Sequence, residues 1–79
     1  MSTNRALDVA FGLTLRRFRL AAGVTQEDLG FRADLHRTYI SLLERGLRTP
    51  TIDTLFRLCE ALSVEPSEFV AELGRQRVV

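Results

Sequence analysis

The chain has 79 residues, 46% hydrophobic and 27% charged, which makes one small domain, too apolar for disorder and near the lower size that folds without staples. A single cysteine, Cys59, excludes an internal disulfide and fits a reducing compartment. No stretch offers a signal-peptide core or about 18 consecutive apolar residues, so a soluble, cytoplasmic protein is expected.

The net charge of +1 is unevenly spread: residues 16–48 carry seven arginines against four acids, and residues 49–79 carry three against five. The middle of the chain is therefore basic (+3) and the end acidic (−2). All eleven basic residues are arginine. A GC-rich coding sequence explains that plainly, although arginine also suits bidentate contact with guanine and phosphate.

Residues 1–5 are polar, show no apolar period and are expected to fray. From Ala6 the residues Leu7, Phe11, Leu15, Phe18 and Ala22 form one stripe of a long amphipathic helix. Gly23 is a natural stop. Thr25 then caps a short helix over about 25–32, with Glu27 and Asp28 in its first turn and Leu29 facing inward. Gly30 costs this helix roughly 0.5–1 kcal/mol relative to alanine, and a close approach of a neighbouring helix would explain it. The period fails near Ala33-Asp34. A second short helix follows over about 36–45, burying Ile40 and Leu43, with His36 at its start. Two short helices joined by a tight turn form a helix-turn-helix, whose second helix enters the major groove in DNA-binding examples. Leu47–Pro50 is a loop. Thr51 caps a helix over about 51–62 with Ile52, Leu55, Leu58, Cys59 and Leu62 on its buried face. Pro66 opens a last helix over about 66–73, with Phe69 and Leu73 inward, and Gly74 ends it. The spacing predicts an all-α bundle of five helices in a single domain.

The stretch Thr25–Gly46 resembles the lambda repressor/Cro-like (XRE-type) helix-turn-helix family. Matching features are Gln26, Leu29, the small Ala33, Leu35 in the turn, Ile40-Ser41, and Glu44-Arg45-Gly46 followed by Pro50. With the flanking helices the resemblance covers roughly residues 9–70. Within the family, Asp34-Leu35, then Arg37-Thr38-Tyr39-Ile40-Ser41, in so short a chain look most like the controller proteins of restriction–modification systems. The resemblance implies a five-helix lambda-repressor-like fold and a sequence-specific transcriptional regulator of double-stranded DNA. It also implies a salt bridge between Arg19 and Glu44 and a phosphate contact for Gln26.

At about 100° per residue, Arg37, Ser41 and Arg45 share a face of the second motif helix, with Thr38 beside them. The N-terminal part of a recognition helix reaches base edges, so Arg37, Thr38 and Tyr39 are the candidates for reading sequence. Gln26, Ser41, Arg45 and Arg48 are the candidates for holding the DNA backbone. Tyr39 has an alternative in packing against the neighbouring helix. His36 stands alone, with no metal-ligand spacing around it.

Leu42, Leu47, Phe56, Val70, Val78 and Val79 fit the core stripes poorly. Several fall on the C-terminal helices, and a homodimer built there is expected, with Phe56, Val70 and Leu73 at the interface. Regulators of this kind bind pseudo-palindromic operators as two-fold dimers. The alternative is a protein–protein module, an antitoxin-like or coactivator-like subunit, against which the chain shows no long arm to wrap a partner. An enzyme is excluded for want of any catalytic constellation. No metal, cofactor or small-molecule site is visible.

Overall fold

The computed structural model describes residues 5–76, so the expectations for residues 1–4 and for Val78 and Val79 lie outside the described residues. Five helices follow one another: α1 (Arg5–Ala22), α2 (Gln26–Ala33), α3 (Arg37–Glu44), α4 (Ile52–Leu62) and α5 (Pro66–Gln76). No strand occurs among the described residues.

Local hydrogen bonds set three of the starts. The hydroxyls of Thr25 and Thr51 accept from the N–H of Asp28 and of Thr54, each at 3.0 Å. These bonds satisfy donors that an α-helix leaves free in its first turn. At α3 the same service comes from an imidazole: Nδ1 of His36 accepts from the Thr38 N–H at 3.0 Å. Helices α2 and α4 end alike, with Asp34 and Ser63 in the left-handed conformation at φ 58° and 57°. Beyond them the N–H groups of Leu35 and Val64 reach back to the carbonyls of Gly30 and Cys59. That bond closes the helix end and reverses the chain in few residues.

The core draws on every helix: Phe11 and Leu15 from α1, Leu29 from α2, Ile40 and Leu43 from α3, Leu55 and Leu58 from α4, and Phe69 from α5. Phe69 is fully buried and fixes α5 to α1, its ring centroid 5.2 Å from that of Phe11 and 5.4 Å from that of Phe18. Across the domain, α1 packs on α3 and α5, and α2 packs on α3 and α4. The two motif helices therefore lie on a scaffold made by the other three.

Two glycines let main chain touch main chain. A Cβ on Gly12 of α1 would stand 2.5 Å from the carbonyl oxygen of Leu43 and 2.6 Å from that of Glu44. A Cβ on Gly30 would stand 2.5 Å from the Leu35 carbonyl oxygen and 3.2 Å from the Arg37 nitrogen. The close approach at Gly30 comes from the turn and the first residue of α3. A buried carboxylate does related work one turn earlier on α1. Asp8 accepts from the Thr49 hydroxyl with both oxygens, at 2.8 and 2.9 Å, and holds the loop after α3 against α1.

Four expectations need correction. Ala22 is exposed, because α1 ends as its stripe passes beyond the edge of the core. Ile52 is 71% exposed: it opens α4 before the helix settles on the core, and it shares an outer face with Phe56. Helix α5 runs through Gly74 to Gln76, since Arg75 and Gln76 both donate to Glu72 one turn back. Those bonds, with Arg75 foremost and Arg17 of α1 also close, hold the Glu72 carboxyl below its ordinary range. Leu73 is half-buried and packs on the core, so little of it is free for a partner.

Replacing Gly12 or Gly30 by alanine is expected to lower stability by about 1–3 kcal/mol in urea melts, the backbone clash outweighing a helix-propensity gain of about 1 kcal/mol. Unchanged or raised stability in both variants would refute the close approach.

Candidate nucleic-acid interface

The interface begins from a buried charge. Arg19, on the last turn of α1, points into the domain and reaches Glu44 at the end of α3 through two bonds: Nε to Oε2 at 2.6 Å and Nη2 to Oε1 at 3.0 Å. Its remaining nitrogen, Nη1, donates to the Val24 carbonyl at 2.9 Å. The two side chains are only 9% and 3% exposed. The bond to Glu44 raises the Arg19 pKa above its ordinary value, against the opposing effect of burial. A third donor, the Gln26 amide, meets Glu44 Oε1 at 3.0 Å. Among the described residues no buried side-chain nitrogen or oxygen lacks a partner. The network ties the end of α1, the start of α2 and the end of α3 to one carboxylate.

Around it the surface is concave. Gln26 and Glu27 from the start of α2 line this hollow with Arg37, Thr38 and Ser41 from α3, with Leu20 of α1 and with Gly23 just after it. Two helix N-termini open onto it, and free backbone N–H groups at such ends favour anions. Arg37 is 64% exposed, and its Nη1 lies 3.6 Å from Glu27 Oε1.

The predicted site residues fall into three groups. Arg37, Thr38, Ser41 and Gln26 come together in the hollow. Gln26 is engaged with Glu44, so the amide is held in place at the α2 N-terminus, and one of its two N–H groups is already committed. Tyr39 sits apart: it is half-buried against the core, and the guanidinium of Arg48 lies over its ring, 5.6 Å from the centroid. Packing thus claims most of the Tyr39 ring. Arg45 is exposed at the far end of α3.

On the opposite elements, Phe56 is 54% and Val70 49% exposed, and Ile52 joins them. Cys59 is buried, which pushes its thiol up to about 11 and leaves it unreactive. Among the described residues no three His, Cys, Asp or Glu side chains gather as metal ligands, and no helix is long and apolar enough to cross a membrane.

Sequence reasoning passed over Glu27 as an interface residue, because in sequence it reads only as a favourable first-turn acid. It also passed over Phe31, at 89% the most exposed large apolar side chain among the described residues, which the α2 periodicity places one turn beyond Glu27 on the outer face. The wheel alone contained that signal.

The helix-turn-helix family model matches residues 15–69. Control protein C.BamHI of Bacillus amyloliquefaciens is 43% identical over 61 residues, spanning 76% of this chain and 75% of that protein. The crystal structure of the restriction–modification controller protein C.AhdI from Aeromonas hydrophila is similar with a TM-score of 0.76 and 40% identity, over 78% of this chain and 94% of that one. The C.Esp1396I controller protein, solved as a tetramer with its natural 35 base-pair operator, is similar with a TM-score of 0.84 and 35% identity, over 90% and 93% of the two chains.

Glu44→Ala would leave the Arg19 guanidinium buried and unpaired, and urea denaturation is expected to show a loss of about 3–5 kcal/mol. A loss below about 1 kcal/mol, the range of exposed pairs, would show that the charge is reached by water.

Proposed function

This chain belongs to the helix-turn-helix family of DNA-binding transcriptional regulators, and we propose that it acts there as a homodimeric controller of a restriction–modification system. In this reading it binds a pseudo-palindromic operator near its own gene in the cytoplasm and regulates both itself and a neighbouring restriction gene. The observation that carries it is the hollow between the motif helices, where exposed Arg37 and Thr38 and half-buried Ser41 stand beside Gln26 and two helix N-termini. That is an arrangement for a polyanion with readable edges. The likeness to control proteins such as C.BamHI supports the narrower assignment.

In the proposed complex α3 lies in the major groove. Arg37 bonds O6 and N7 of a guanine, and Thr38 offers its hydroxyl or methyl to a neighbouring base. Tyr39 adds the exposed edge of its ring, and its main work is to seat Arg48. Gln26, Ser41, Arg45 and Arg48 hold phosphates and set the register. Ile52, Phe56 and Val70 form the dimer surface, with Leu73 supporting it from below. Two-fold symmetry then places the half-sites about one helical turn apart. A second reading, a helical protein-interaction module, has in its favour the exposed apolar side chains of Phe31 on α2 and of Phe56 and Val70 on the C-terminal helices.

Fluorescence anisotropy on duplex DNA from upstream of the gene, with a scrambled duplex as control, decides between them. Specific binding that weakens steeply with salt is expected, and Arg37→Ala should remove about 1–3 kcal/mol of discrimination. Arg48→Ala should weaken both duplexes alike and reduce the salt slope by about one. Equal, weak binding to both duplexes would favour the interaction module. The dimer surface is checked by sedimentation: Phe56→Glu is expected to convert a dimer to a monomer that keeps its helical spectrum, and a wild-type monomer would overturn the homodimer.

A further inference from the structure

Glu27 is a carboxylate set on the surface meant for phosphates. It occupies the second position of α2, and its partner Arg37 occupies the first position of α3, so their contact spans the hollow between the two helix starts. Both side chains are open to solvent, 74% and 64% exposed. A pair so exposed adds little to stability, and the fold is held by the buried network beneath it. Its consequence therefore falls on binding.

We propose that Glu27 is a specificity-determining residue that positions Arg37: it withholds the guanidinium from the DNA backbone and presents it to the edge of a guanine. This rests on the base-reading role of Arg37 proposed above. A guanidinium has five N–H donors in a rigid planar fork. One edge of the fork can bond O6 and N7 of guanine while another donor keeps the Glu27 carboxylate, because the base is neutral and does not repel it. A phosphate on the same fork would bring a second anion against Glu27, and the pair would have to break. The positive end of α2 favours an anion at this position, so the carboxylate stays where it opposes a phosphate. Glu27 thus acts as a repulsive element against the wrong mode of binding, which is how a site gains discrimination at some loss of affinity.

The test compares wild type, Glu27→Gln, Arg37→Ala and the double variant on an array of duplexes displaying every eight-base-pair sequence. It adds anisotropy on one scrambled duplex over a range of salt. Glu27→Gln is expected to bind the scrambled duplex about three- to ten-fold more tightly, with a salt slope steeper by about one, as a further phosphate contact would give. Its preference at the base pair that Arg37→Ala makes indifferent should fall about ten-fold. In the Arg37→Ala background, Glu27→Gln should leave the array profile unchanged, because the two residues act as a unit. Loss of a negative charge strengthens binding to every duplex, so coupling in base preference is the deciding readout. Glu27→Gln with wild-type preference, or with an equal effect when Arg37 is absent, would overturn the inference and leave the base-reading role standing. An array profile that Arg37→Ala does not alter would instead remove that role, and this inference with it.

Discussion

The bond between Arg19 and Glu44 is the constraint on which the remaining geometry depends. Neither partner can be exposed without opening the domain, and neither can be buried alone without stranding a charge. The pair thereby specifies how three helix ends meet: Arg19 arrives from α1, Glu44 from α3, and Gln26 joins from α2. Hydrophobic contact gives no such direction, since Leu15, Leu29, Ile40 and Leu43 would stay buried over a range of helix angles. The ion pair selects one of them. Its value lies less in net stability than in fixing the two helix starts that face outward over it.

Electrostatics on the outer surface follow from that fixed frame. The starts of α2 and α3 bring their unpaired N–H groups to one hollow, and Arg19 and Arg37 from the basic middle of the chain line it. Acids are not excluded from this surface. Glu27 stands beside Arg37, and Asp34 ends α2 near Arg57 of α4 at 3.7 Å. Net charge alone would have said little about the partner, because the acidic end of the chain cancels most of the basic middle. The placement of charge on folded elements carries the information.

Much of this was legible in the sequence. The stripes Leu7–Phe11–Leu15–Phe18 and Leu55–Leu58–Leu62, with Thr25, Thr51 and Pro66 as start signals, located the helices to within a residue or two, apart from the end of α5. The pairing of Arg19 with Glu44 came from family resemblance, since 25 residues separate them and no local pattern links them. What stayed hidden depends on contacts between distant parts of the chain. Asp8 reads as an ordinary first-turn acid until Thr49 arrives from 41 residues away. Ile52 reads as core because apolar spacing does not reveal that α4 begins beyond the edge of its neighbours. Gly74 reads as a stop, and the helix passes it because Glu72 gathers the side chains that follow. Cap propensities rank hydroxyls and carboxylates first, yet at α3 the His36 ring nitrogen does the same work at 3.0 Å.

The contact at Gly30 has a wider consequence. There the end of α2 meets the turn and the start of α3 main chain to main chain, with no side chain of the reading face taking part in that contact. Arg37 and Thr38 are therefore free to change identity without altering the scaffold that aims them. In such a domain the alphabet of recognition is uncoupled from the architecture that presents it, so new operators can be acquired by exchanging a few surface letters while the folded frame persists.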